Sequence, residues 1–86
     1  MEVSRMSSRL GVVGVVIEEM GAVPQVNQII SNHAQIIVGR LGIPYRQRGV
    51  SVISLIVDGS TDDIGSLTGK LGAVKGVSVK SALTTK

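Results

Sequence analysis

The sequence has no cysteine, no tryptophan and no phenylalanine. Without cysteine there are no disulfides, no thiolate metal ligands and no cysteine nucleophile. Its one histidine, His33, is no ligand cluster, so a metal would need carboxylates or a second subunit to complete its shell. Its one aromatic, Tyr45, is too little for the stacking platforms that bind single-stranded nucleic acids. Long apolar runs are absent as well, and nothing approaches the length of a membrane span. Met1–Ser8 is too polar for a secretory signal, so the expected location is cytoplasmic.

What is present is a small basic chain. Eighty-six residues make one domain, with nine Lys and Arg against six Asp and Glu and a formal charge of +3. The basic residues run from Arg5 to Lys86, and only Arg46 and Arg48 are close together, so the charge is dispersed and argues against nucleic acid as a partner. A domain of this size buries only roughly 60–65% of its unfolded surface and gains much from oligomerisation.

The hydrophobic pattern is regular. Met1–Ser8 has no periodicity and reads as a flexible tail ahead of a single domain over residues 9–86. Arg9–Glu18 reads as a strand, with Leu10, Val12 and Val16 on one face and Val13, Val15 and Ile17 on the other. A turn at Glu18–Gly21 leads to a helix opened by Pro24 and continued by Val26, Ile29 and Ile30. Gln35–Ile43 reads as an edge strand with Ile36 and Val38 opposite Ile37 and Leu41, and Pro44 is expected to stop its pairing. Gly49–Asp58 is apolar on both faces and is expected at the sheet centre. Ser60 followed by Asp62 and Asp63 marks a helix start, and Ile64, Leu67 and Leu71 form the buried stripe. Gly72 is expected to cap that helix, and Gly76–Leu83 is the last strand.

The order β-α-β-β-α-β with right-handed crossovers predicts an α+β, ferredoxin-like sandwich. Its four-stranded antiparallel sheet would run 4-1-3-2, with both helices on one face. Val12, Val16, Val50, Val52 and Ile56 then lie on the face without helices. An apolar patch of that kind marks an interface, so a homo-dimer or homo-tetramer is expected.

No catalytic constellation is present. Gly65-Ser-Leu-Thr-Gly69-Lys70-Leu71 resembles a phosphate loop but has one residue too few between its glycines, and leucine follows the lysine. Asp62 and Asp63 read as charge at a helix start. His33 reads as a helix-end cap. Two stretches are candidate binding sites. The turn with Glu18, Gly21 and Val23 could hold a small ligand at the helix start, although Glu18 and Glu19 oppose an anion there. The loop with Arg40, Tyr45, Arg46 and Arg48 could hold an anion, because guanidinium groups match carboxylate and phosphate.

The stretch Gly39–Gly59 (GRLGIPYRQRGVSVISLIVDG) resembles the small iron-only hydrogenase system regulators. So do Leu67-Thr-Gly-Lys-Leu-Gly72 and Gly76-Val-Ser-Val-Lys-Ser-Ala-Leu83. With the Gly11–Ile17 strand the likeness covers about residues 9–84. The family is ACT-like and similar in fold to the C-terminal domain of nickel-responsive repressors. The resemblance therefore implies the same sandwich and a regulatory role. The nickel site of those repressors needs several histidines and a cysteine, so it does not carry over, and no metal or other cofactor is expected. ACT domains bind amino acids at the first strand–helix turn, where Glu18, Gly21 and Val23 stand. The expected protein is a non-enzymatic module that senses an unknown small-molecule effector between subunits and signals to a separate regulatory or maturation protein. The alternative is a structural adaptor that docks a partner through the apolar sheet face.

Overall fold

A computed structural model describes residues 8–84. The elements are β1 (Ser8–Ile17), α1 (Val23–Asn32), β2 (Ile37–Tyr45), β3 (Val50–Ser60), α2 (Thr61–Gly72) and β4 (Val77–Leu83). Short 3-10 turns occupy Met20–Ala22, Ala34–Ile36 and Arg46–Arg48. The sheet runs β2-β3-β1-β4 with every neighbour antiparallel, which is the expected order. The expected tail lies outside the described residues except for Ser8, which opens β1 opposite Ser60.

The core follows from alternation. Val13, Val15 and Ile17 of β1 and Ile53, Leu55 and Val57 of β3 are buried beneath the helices. Val26 and Ile30 of α1 and Ile64, Leu67 and Leu71 of α2 close over them. Neighbouring residues on these two strands point to the other face, where Val12, Val52 and Ile56 are about 40% exposed (41%, 41% and 39%). Val16 and Val50 on that face are half-buried.

β2 departs from its expected form. The register jumps between Ile37, opposite Val57, and Gly39, opposite Ile56, so Val38 is an extra residue in a β-bulge. A bulge shifts the alternation by one. Ile37 therefore packs against the core while Leu41 is 62% exposed on the open face, joined there by Ile43 and Tyr45. Ile36 lies in the 3-10 turn before the strand and is buried. Pro44 does not stop pairing, since it stands opposite Ser51 and the strand runs on to Tyr45. An edge strand accommodates proline because one side of its ladder has no partner.

At the start of α2, Ser60 Oγ accepts a hydrogen bond from the Asp63 amide at 3.0 Å, with Asp62 and Asp63 in the first turn. Ser60→Ala is expected to lower the unfolding free energy by about 1 kcal/mol, read from urea titration of both proteins. Gly72 is not the left-handed cap expected of it. The helix includes Gly72, and Ala73 continues in right-handed geometry, its amide bonded to the Gly69 carbonyl at 3.1 Å. The chain must first turn Val74 into the core, and the left-handed residue falls later, at Gly76 with φ 80°.

Candidate functional site

The end of β1 and the start of α1 form one wall of an apolar hollow. Ile17 and Val23 face Gly42, Pro44 and Ile53 across a space of about 190 Å³, with Arg40 at its margin. The hollow exists partly because Gly42 brings no side chain to the helix side of β2. The nearest atom to a Cβ built there is Ile53 Cγ1 at 3.8 Å. Arg40 is also on the helix side, opposite Leu55, because the bulge at Val38 put it there. Its guanidinium donates to Asn27 Oδ1 of α1 at 3.3 Å. Beyond Arg40 a second hollow of about 330 Å³ continues between α1 and β2, lined by Asn27, Ile30, Ser31, Ala34 and Ile37. Arg40 is thus an exposed cation between the two hollows, of which the smaller is mainly apolar.

The three expected turn residues divide. Val23 lines the smaller hollow. Glu18 and Gly21 are exposed on the turn beside it. Some amides of this turn are already engaged. Glu18 N–H donates to the Gly76 carbonyl at 2.7 Å, and Ala22 N–H donates to the Glu19 carbonyl at 2.9 Å. Glu19 folds over Gly76, since a Cβ built on Gly76 would meet Glu19 Cγ at 2.6 Å. Helix α1 has no side-chain cap at its N-terminus.

The four residues expected around an anion do not converge. Arg40 is on the helix face of β2, Tyr45 is on the open face, and Arg46 and Arg48 belong to the 3-10 turn at the hairpin end. Their closeness in sequence does not survive the alternation of the strand. Asn27 and Gly42 were not singled out from the sequence. An asparagine on the exposed side of a helix and a glycine in an edge strand carry no signal until the register is known.

His33 ties the helices together. Its Nδ1 is 2.7 Å from the Ile29 carbonyl, which can only accept, so Nδ1 carries the proton. Nε2 lies 3.1 Å from Ser66 Oγ of α2 and accepts from that hydroxyl when the ring is neutral. Among the described residues no group of three or more His, Cys, Asp or Glu could hold a metal ion. The phosphate-loop-like stretch lies wholly within α2. No helix among the described residues is long and apolar enough to cross a membrane.

Comparison with known proteins bears on this arrangement. The model of the TM1266-like family, described as iron-only hydrogenase system regulators, matches residues 9–81. The structure of protein TM1266 from Thermotoga maritima is 33% identical with a TM-score of 0.86, over 91% of this chain and 99% of that one. The ACT domain of GTP pyrophosphokinase from Chlorobium tepidum is 25% identical with a TM-score of 0.70, over 85% of this chain and 96% of that one. A PII-like protein from Thiomonas intermedia, bound to ADP, AMP and bicarbonate, shares the fold at 13% identity and a TM-score of 0.51, over 91% of this chain and 92% of that one. No curated protein matches the sequence.

Proposed function

Since this chain belongs to the TM1266-like family of iron-only hydrogenase system regulators, we propose that it is a non-enzymatic ACT-like module that senses a small ligand. The observation that carries this reading is the 190 Å³ hollow beside the β1–α1 turn, apolar inside and bordered by Arg40. Pockets for drug-sized ligands run to about 300–1,000 Å³, so this one suits a smaller molecule. Its chemistry suits a short aliphatic body carrying a carboxylate, with Val23, Ile17 and Ile53 against the body and Arg40 on the acid. A second subunit could close the hollow. The effector would then bind at a subunit boundary and shift assembly or the exposure of a surface read by a separate protein.

The open sheet face supports oligomerisation in this reading. Val12, Val16, Val50, Val52 and Ile56 are extended by Leu41, Ile43 and Tyr45 across the bulged strand. Covering apolar surface is worth roughly 25 cal/mol per Å², so a patch spanning three strands stabilises an assembly by several kcal/mol. The same face favours the adaptor as a second reading, with a partner protein in place of a second copy. Recovery of a stoichiometric partner, and no effect of small acids on its binding, would favour the adaptor.

The test is thermal unfolding with a panel of short aliphatic carboxylates and amino acids at millimolar concentration. A ligand that binds only the native state raises the melting temperature in proportion to the logarithm of its concentration. We expect at least one acid to do so in the parent protein, a Gly42→Leu variant to abolish the shift by filling the hollow, and Arg40→Gln to weaken it about tenfold. No shift with any acid, or an undiminished shift in Gly42→Leu, would overturn the reading.

A further inference from the structure

His33 and Ser66 meet between α1 and α2, and neither lines the hollows beside β2. The imidazole is held at both nitrogens. Nδ1–H donates to the Ile29 carbonyl at 2.7 Å, which fixes the tautomer and leaves Nε2 as the acceptor. Ser66 Oγ stands 3.1 Å from Nε2. A helical serine or threonine ordinarily bonds back to a carbonyl three or four residues earlier. Thr68 does so, donating to the Gly65 carbonyl at 3.3 Å. Ser66 turns its hydroxyl onto the ring instead. Hydroxyl, imidazole and a fixed acceptor in that order are the parts that activate a serine nucleophile. The ring takes the hydroxyl proton as the oxygen attacks, and the third group holds the ring in the right tautomer. Here the third group is a backbone carbonyl in place of a carboxylate.

The surroundings set what could react. Both side chains are half-buried, so a small reagent can reach the oxygen. Gly65 precedes Ser66 and Gly69 follows one turn later, and a Cβ built on either meets nothing within 4 Å. Lys70 comes four residues after Ser66, and helical side chains lean toward the N-terminus, which carries its ammonium back over that turn. Asp62 and Asp63, one turn earlier, oppose an anion on the other side. Helix α1 brings no charged residue. The fitting reagent is therefore a short acyl group with an anionic leaving group lying toward Lys70, which is the form of an acyl phosphate. Past the first turn the amides of α2 are bonded within the helix, so none is left to hold an oxyanion. Phosphate is a good leaving group and a serine alkoxide is not. Acylation therefore proceeds where hydrolysis of the product stalls, and the chain is marked rather than made an enzyme.

We propose that Ser66 is a covalent modification site, its hydroxyl activated by His33 toward small acyl phosphates. Ser66 Oγ forms a bond to the acyl carbon, and the bond from that carbon to the phosphate oxygen breaks. The hydroxyl proton passes to His33 Nε2 and leaves with the phosphate. The products are an O-acyl serine and inorganic phosphate, with no change of oxidation state. The ester has no proton to give, so the bond from Ser66 to the ring is lost and an acyl group stands between the helices. This site is separate from the ligand hollow and does not depend on it.

The experiment treats the full chain with acetyl phosphate and, in parallel, with p-nitrophenyl acetate. Peptide mass spectrometry follows acetylation at each serine. Hydroxylamine then removes esters and spares lysine amides. Ser66 is expected to react about a hundredfold faster than the exposed Ser31 and Ser78, at the lower end of what a positioned base supplies. Urea should abolish that advantage in the same chain, a control that needs no variant. Ser66→Ala should remove the labile adduct. His33→Gln should cut the Ser66 rate about a hundredfold, with circular dichroism checking that the fold is kept. Reaction at Ser66 no faster than at Ser31 and Ser78 would overturn the proposal. So would an undiminished rate in a folded His33→Gln variant. Reaction with the nitrophenyl ester but not with acetyl phosphate would overturn acyl phosphates as the donor.

Discussion

Leu67→Ala is expected to lower the unfolding free energy by about 3 kcal/mol. Leu67 is fully buried in the middle of α2, among Ile64 and Leu71 of its own helix and the inward side chains of β1 and β3. Truncation removes the transfer free energy of the lost methyl groups and leaves a void that the two central strands can fill only by moving. A chain of this length has a total stability of about 4–13 kcal/mol, so the loss takes away a large share of the whole. Urea titration followed by circular dichroism measures it, with the slope of the transition unchanged if the fold is retained. The companion variant is Leu41→Ala on the open face, where the side chain is 62% exposed. In a monomer it should change stability by less than about 0.5 kcal/mol. A larger, concentration-dependent loss at Leu41 would show that the open face is covered in solution.

Gly11→Val is the second large effect and acts through the backbone. Gly11 stands opposite both Val57 and Leu83, between the two strands that flank β1. A Cβ at this position collides with the Ala82 carbonyl oxygen and lies 2.9 Å from Leu83 Cα. Neither atom is the end of a flexible side chain, so the strand itself must shift. The expected outcome is release of the β4 end from the sheet and a loss of about 3 kcal/mol, at the upper end of overpacking costs. Exchange of the amides at residues 82–84 should quicken far more than exchange in β3. Gly14 provides the contrast. A Cβ there meets only the Lys80 carbonyl oxygen at 3.8 Å, an ordinary contact, and Gly14→Ala should alter stability by less than about 1 kcal/mol.

The middle of the sheet was legible because β1 and β3 alternate without interruption and are apolar on both faces. Their pairing from Ser8–Ser60 to Ile17–Ser51 has no break, and the inward set is the expected one. The start of α2 was equally legible, since a hydroxyl followed by two acids has few other uses. β2 was not. A bulge has no composition of its own, and Val38 fits an alternating strand as well as it fits an inserted residue. That one residue decides which side every later residue of β2 faces. The hollow bordered by Arg40 and floored beside Gly42 could not be seen without it, and the grouping of Arg40 with Tyr45 could not be tested. The end of α2 was misplaced for a related reason. Gly72 looks like a cap, but the burial of Val74 delays the left-handed turn to Gly76.

The position of β1 between β3 and β4 also fixes when this protein can fold. During synthesis β1 is made before either neighbour, and β4 follows it by some sixty residues (Ile17 pairs with Val77). Until β4 arrives, one side of the most apolar strand pair has no partner, and α2 lacks a strand that it packs beside. A nascent chain that stalls before Val77 therefore presents a bare central strand to its surroundings, the kind of exposure that draws chaperones or seeds aggregation. Contacts so distant in sequence also make for slow closure, since the loop must be ordered before the pairing rewards it.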